Sequence, residues 1–329
     1  ASLIHRYSFS EQPGLLTVGD SVGTADGVIK GNGADFDGAG LLRLPGGTGS
    51  AADPSTIAGY VDLPNHIINV LNSVTIESWV TWEGSGAWQR VFDFGTSAGG
   101  EDIVNGNGNY LFLSPQGDAN LRFAVRDPVT GAEPTQLTAG ARLDTFTPVC
   151  LTVTYDPASN VSRLYSNAVL LVTGPAGVAL KDINDVNNWL GRSQWNDAMF
   201  AGTYDEFRIY NNALNPVEVA ASYVAGTENP STDPASLGAL QSVNLTVIKT
   251  TLTQQDTQGS TVTADYANFT GISLSGVSGV VFASDAPLVL KIDQSGNMEA
   301  LEAGTANISA TYGGKTSSVL ITVNARQTG

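Results

Sequence analysis

The stretch TIESWVTWEGSGAWQRVFDFG, residues 75–95, decides the fold class. Successive side chains of a strand point to opposite faces, so Ile76, Val80 and Trp82 share one face while Glu77 and Trp79 share the other. Outward from it, similar short runs recur at LIHRYSF (3–9), GYVDLP (59–64), NYLFLSP (109–115), NLRFAVRD (120–127), PVCLTVTYD (148–156), SRLYSNAVLLV (162–172) and TYDEFRIYN (203–211). Many short strands separated by Gly, Pro, Asn and Asp turns predict an all-β sandwich or jelly roll. In PVCLTVTY, Val149, Leu151, Val153 and Tyr155 form the core face, and Cys150, Thr152 and Thr154 the opposite one. Large side chains on both faces of several strands suggest that one sheet is covered or forms a ligand-facing surface. The one helical signal is ALNPVEVAASYVAG, 213–226. There Asn215 can cap, Pro216 suits the first turn and Gly226 stops a helix of one or two turns.

The seam of the chain is GTENPSTDPASLGA, 226–239, where Pro230 and Pro234 sit among small polar residues with no apolar periodicity. It predicts a first domain over 1–228, a linker over 229–239 and a second domain over 240–329. The second reads as a smaller sandwich: SVNLTVIK, STVTADY, GVVFAS, LVLKID, MEALE, ANISATY and SSVLITV alternate with turns at immunoglobulin-like spacing. It holds no Cys pair and no Trp, so it is not an antibody-type domain.

Charge narrows the partners. The chain of 329 residues carries a formal charge of −16. The part before residue 230 has 11 basic against 24 acidic residues, and the part after it 4 against 7, so the acidity belongs to the first domain. Such a field repels phosphate backbones and anionic lipid, which argues against nucleic acid and membrane surfaces as partners. No run of about 18 apolar residues predicts membrane insertion. One cysteine, Cys150, and two histidines leave little material for a disulfide, a zinc site or Cys/His catalysis. Low Lys and high Thr, Asn and Gly favour a bacterial protein that is secreted or at the cell surface. The opening ASLIHRYSF is strand-like at once, so the chain reads as part of a longer multidomain protein.

At LIHRYSFSE, GYVDLPN, TIESWVTWEGSGAWQRVFDFG, NYLFLSP, NWLGRSQW and YDEFRIYNNALNPVEV, in that order, the first domain resembles the bacterial laminin G-like jelly rolls of the concanavalin A-like lectin/glucanase superfamily. The second resembles bacterial Ig-like group 2 modules over residues 280–323, with Phe282-Ala283-Ser284 where that family usually has Trp-Ser-Ser. The resemblance implies a concanavalin A-like jelly-roll sandwich followed by an Ig-like β-sandwich, the latter a spacer or adhesive stalk. It leaves lectin, adhesin, glycosidase and lyase open, because one scaffold carries them all.

Residue chemistry sorts these. A retaining glycosidase needs two carboxylates about 5 Å apart, commonly from one strand. Glu77 stands alone in its strand and Glu101-Asp102 is a loop pair, so no catalytic residue is assigned. A dyad assembled across strands would escape such a reading, which keeps a glycoside hydrolase or lyase as the alternative, with a protein-binding adhesion domain as the third. Asp20, in the loop GDSVGTADG with Gly23, and Asp205, in TYDEFRIY, lie at opposite ends of the domain, where a jelly roll brings the first and last strands together. A carboxylate pair plus turn carbonyls suits Ca²⁺, and the resemblance implies one structural calcium there; the competing reading makes Asp20 an Asx-turn and pairs Asp205 with an arginine. Sugar sites combine aromatic platforms with planar polar groups. Two clusters have that composition: Trp88-Gln89-Arg90, and Arg192, Gln194, Trp195 and Asn196 beside Trp189. At least one Trp of each belongs to the framework, and Trp88 and Trp195, nearest to turns, are the platform candidates. The expected ligand is a neutral polysaccharide or cell-surface glycan. The glycine runs GNGADFDGAG and NGNGNY precede no helix and read as turns.

Overall fold

The computed structural model describes residues 2–48 and 57–327. Contacts divide the chain into two compact units, residues 1–214 and 215–329. The division falls ahead of the seam at 226–239, so helix α1 (Pro216–Ala225) belongs to the second unit.

The first unit runs β1 (Leu3–Tyr7), β2 (Thr17–Val18), β3 (Gly27–Lys30), β4 (Asp35–Phe36), β5 (Leu42–Gly47), β6 (Tyr60–Leu63), β7 (Val74–Trp82), β8 (Phe92–Thr96), β9 (Asn109–Ser114), β10 (Arg122–Arg126), β11 (Thr135–Thr138), β12 (Pro148–Asp156), β13 (Val161–Ser166), β14 (Val169–Gly174), β15 (Asn187–Leu190) and β16 (Met199–Tyr210). One eight-stranded sheet has the order β14-β13-β12-β7-β16-β5-β4, with β1 also on β16; the other, also of eight strands, has the order β11-β10-β9-β8-β15-β6-β3-β2. Strands distant in sequence are thus neighbours, as in a jelly roll. SRLYSNAVLLV is a hairpin rather than one run: Asn167 and Ala168 both have positive φ (48° and 62°), the signature of a tight turn that reverses the chain.

Aromatic rings lock the sheets face to face. Phe92 and Phe94 of the second sheet each meet Phe207 of the first at 6.0 Å, and Phe123 meets Tyr155 at 6.1 Å. Ile76, Val80 and Trp82 of β7, and Leu151, Val153 and Tyr155 of β12, are buried in this core. The other face of β7 holds Glu77, fully buried and paired with Arg208 at 2.8 Å. Arg208 also binds Glu206 at 2.7 Å, and Glu206 binds Arg6 at 2.6 Å. The lone strand glutamate is therefore one end of a buried ion-pair chain. In β16 the register slips between Tyr204 and Glu206, so Tyr204 and Phe207 both enter the core and Asp205 is left exposed at the bulge.

The second unit is a small sandwich of β17 (Leu240–Val247), β18 (Thr251–Thr253), β19 (Thr257–Tyr266), β20 (Ile272–Ser273), β21 (Val281–Ser284), β22 (Leu290–Ile292), β23 (Asn297–Ala300), β24 (Gly304–Tyr312) and β25 (Lys315–Asn324). Its sheets are β17-β19-β23-β22, with β20 on β19, and β18-β25-β24-β21. Leu245, Val262, Ala264, Met298, Ile308 and Ile321 are buried between them. Helix α1 begins in a capping box: Asn215 Oδ1 accepts from the N–H of Val217 (2.9 Å) and Glu218 (3.1 Å), and Glu218 Oε2 accepts from the Asn215 N–H (2.8 Å). It ends at Gly226 and, at 10 residues, is longer than its short apolar run suggested. No helix among the described residues is long and apolar enough to cross a membrane.

Candidate functional site

The outer face of the second sheet follows from its register. Cross-strand pairing sets Gln136, Ala124, Phe112, Asp93, Trp189, Asp62 and Val28 in one row across β11, β10, β9, β8, β15, β6 and β3. Period-two alternation puts Tyr110 on the same face as Phe112, while Leu111 and Leu113 fill the core. Over Tyr110 and Phe112 lies a cleft of about 250 Å³ lined by Trp88, Arg90, Tyr110, Phe112, Glu133, Trp195 and Asp197.

Two loops supply the indoles. Trp88 is held at φ 63°, a conformation that a bulky residue adopts only when its surroundings over-determine it. Its N–H donates to the Gln116 carbonyl at 2.6 Å, and its own carbonyl accepts from Arg90 Nη1. Its ring meets Phe112 edge-on at 6.3 Å. Trp195 donates from Nε1 to the Tyr110 hydroxyl at 2.7 Å. Its indole lies against Gly106, where a Cβ would come within 2.2 Å of Cε3. In the NGNG stretch Gly106 and Asn107 both have positive φ (57° and 51°), and Gly106 makes the seat of Trp195. Burial raises the Tyr110 hydroxyl to about 12, despite the opposing bond from Trp195, so the group stays neutral.

Arg90 joins the two loops from below. Its guanidinium lies 4.1 Å from the Phe112 ring centroid and binds Asp93 through Nε (3.1 Å) and Asp197 through Nη2 (3.1 Å). Asp93 Oδ2 also accepts the Gln194 N–H at 3.0 Å, while Asp93 Oδ1 is buried with no partner among the described residues. Burial pushes the Asp93 carboxyl up to about 7 against the pull of Arg90 and the Gln194 N–H.

Of the residues expected to bind ligand, Trp88, Arg90 and Trp195 come together in this cleft. Asn196 is exposed on the same loop. Gln89, Arg192 and Gln194 are interior instead. Gln89 accepts from Trp82 Nε1 (2.8 Å) and the Ala201 N–H (3.1 Å) and donates to the Gly84 carbonyl (2.8 Å). Arg192 donates to the Tyr60 hydroxyl (2.8 Å) and stacks 4.3 Å from the Trp189 ring. Gln194 bonds with Asn187 through both ends of its amide. Their bonding capacity is spent on the frame, so composition near a tryptophan overstated their access. Tyr110, Phe112, Glu133 and Asp197 were missed. For Tyr110 and Phe112 the signal was present in the large side chains on both faces of NYLFLSP; nothing local marks Glu133 or Asp197.

The expected calcium ligands are arranged otherwise. Asp20 Oδ1 accepts the N–H groups of Arg6 (3.0 Å), Val22 (3.2 Å) and Gly23 (2.9 Å). Oδ2 accepts from Ala25 (3.0 Å) and faces His5 Nδ1 (2.7 Å). Burial opposes ionisation of Asp20, but these bonds outweigh it and hold the carboxyl at about 2. Gly23 contributes its N–H here, Asp205 is the exposed bulge residue, and no group of three or more His, Cys, Asp or Glu among the described residues is placed to hold a metal. The bonds from Val22 and Gly23 are the Asx-turn of the competing reading, and Arg6 and Ala25 add two further N–H donors to the same carboxylate.

Two facing sheets, a jelly-roll strand order and an aromatic cleft on one outer face define the class. The chain belongs to the concanavalin A-like lectin/glucanases superfamily, whose family model matches residues 55–220. A search of the curated proteins finds no match. Among solved structures, the chain is similar to domain 4 of AbnA, a GH43 extracellular arabinanase from Geobacillus stearothermophilus, in complex with arabinotriose: 21% identity, 67% of this chain and 97% of that one, TM-score 0.52. It is also similar to Trypanosoma rangeli sialidase in complex with 2,3-difluorosialic acid: 15% identity, 69% of this chain and 33% of that one, TM-score 0.50. The likeness thus spans about a third of the sialidase, and at these identities it is a likeness of fold.

Proposed function

We propose that the first unit is a non-catalytic carbohydrate-binding or adhesive module of an exported bacterial protein, and that the cleft between Trp88 and Trp195 receives a neutral glycan. The observation that carries this reading is the convergence of two half-buried indoles from separate loops over a Tyr110–Phe112 floor, with carboxylates at the edge. Sugar rings present C–H faces to aromatic rings and hydroxyls to planar polar groups, and this cleft offers both. The similarity to an arabinotriose-bound domain supports the same reading. Binding is favoured over hydrolysis because Asp197 and Glu133 are each ion-paired with an arginine, and Asp93 is fully buried beneath the floor. The second unit is read as an Ig-like spacer and the chain as part of a longer secreted or surface protein. Affinity electrophoresis against neutral polysaccharides tests the reading, together with reducing-sugar and unsaturated-uronate assays. Retardation by a neutral polymer, lost in Trp195→Ala and without product release, is expected; turnover would replace it with the glycosidase or lyase alternative.

A further inference from the structure

Resting on that glycan-binding reading, we propose that Glu133 and Asp197 are the specificity-determining residues of the cleft: they select uncharged saccharide units that donate hydroxyl hydrogens and turn away units bearing carboxylate or sulfate. Each carboxylate is pinned through one oxygen only. Asp197 Oδ2 accepts from Arg90 Nη2 (3.1 Å) and Ser193 Oγ (2.8 Å). Glu133 Oε2 accepts from Arg122 Nη2 and from Gln136 Nε2 (3.0 Å). The second oxygens, Asp197 Oδ1 and Glu133 Oε1, hold no hydrogen bond among the described residues, and their side chains keep 24% and 20% exposure in the wall of the cleft.

Arg90, the one arginine among the residues lining the cleft, has all three of its nitrogens engaged, while Arg122 behind it keeps a buried Nε without a partner among the described residues. Arg90 spends Nε on Asp93, Nη1 on the Trp88 carbonyl and Nη2 on Asp197, and Arg122 holds Glu133. Arg126, on the strand beside Tyr110, donates to the carbonyls of Gly108 and Gly131. A hydroxyl entering between the rings thus meets two carboxylate oxygens that hold no other hydrogen bond among the described residues, and hydrogen bonds to carboxylates are the strong ones. An acidic saccharide meets the same oxygens as like charges in a partly desolvated cleft, where Arg90 and Arg122 already face carboxylates of the chain.

The test is affinity electrophoresis of the full chain against arabinan, β-glucan, galactomannan and dextran as neutral polymers, and against polygalacturonate and dextran sulfate as acidic ones. Glu133→Gln, Asp197→Asn and the double variant keep side-chain shape and an acceptor for the arginine, and thermal melts check that each folds. The wild type should bind at least one neutral polymer and neither acidic one. Each amide should weaken neutral binding by about tenfold, and the double variant should narrow the discrimination against acidic polymers. Wild-type binding to an acidic polymer as tightly as to a neutral one overturns the proposal. So does unchanged neutral binding and discrimination in folded amide variants while Trp195→Ala abolishes binding, a result that leaves the glycan-binding reading standing. If no polymer retards the wild type, the reading itself falls and takes this inference with it.

Discussion

Asp93 and Arg90 meet in the interior, Oδ2 to Nε at 3.1 Å, in a hydrogen bond that ties the two walls of the cleft to one point. Arg90 reaches from it to the Trp88 carbonyl, and Asp93 to the backbone of the loop that carries Trp195. The walls therefore share one anchor, although about a hundred residues separate them in the chain.

Asp93 should give the first unit a pH-dependent stability. Its carboxyl lies at about 7 in the fold against an ordinary value of 3.8, so the native state holds a proton that the unfolded chain releases across that window. Stability should fall as pH rises from about 4 to about 7 and level off above it. Urea unfolding of Asp93→Asn at stepped pH should show a flatter profile; a slope equal to that of the wild type would refute the assignment.

Trp189 and Trp195 should part company on truncation. Trp189 is fully buried beside Tyr60, at 5.9 Å between ring centroids, so Trp189→Ala should cost about 3–5 kcal/mol. Trp195 is half-buried at the cleft, so Trp195→Ala should cost less stability but remove glycan binding. Melting curves and affinity gels on both variants separate frame from platform, and equal collapse of both would place Trp195 in the frame.

Asp20 should stabilise the N-terminal loop through its N–H donors rather than through a metal. With its carboxyl at about 2 against 3.8, it contributes about 2 kcal/mol at neutral pH. That contribution is complete above about pH 4 and is lost as pH falls towards about 2. Asp20→Asn should lower the neutral-pH melting temperature, and a chelator should leave the wild-type melt unchanged. A melt that drops on chelation would restore calcium to this site.

Helix α1 should strengthen the second unit. Tyr223 packs edge-on against Phe269 at 6.0 Å, and Asn268 Nδ2 donates to the Ser236 carbonyl at 3.0 Å in the segment after the helix. A fragment covering 215–329 should therefore melt higher than one covering 229–329. Identical melts would detach the helix from that unit.

The local code of the chain determined what depends on near neighbours. Alternation along TIESWVTW and PVCLTVTY placed Ile76, Val80, Leu151 and Val153 in the core because a strand's geometry leaves them no other common face. Asn215, Pro216 and Gly226 marked the helix because capping acts within a few residues, whereas its length came from packing. Only the tertiary structure decided the site. Trp88 and Trp195 share a cleft because hydrogen-bonded ladders bring β8, β9 and β15 side by side, and Glu133 and Asp197 join it from loops that no motif connects. The same ladders bury Gln89, Arg192 and Gln194 among partners far along the chain, and to the Asx-turn that the sequence offered at Asp20 the fold adds the N–H groups of Arg6 and Ala25. Residue type states what a side chain can do; which of its atoms remain unspent depends on strand register, and register is a property of the assembled sheets.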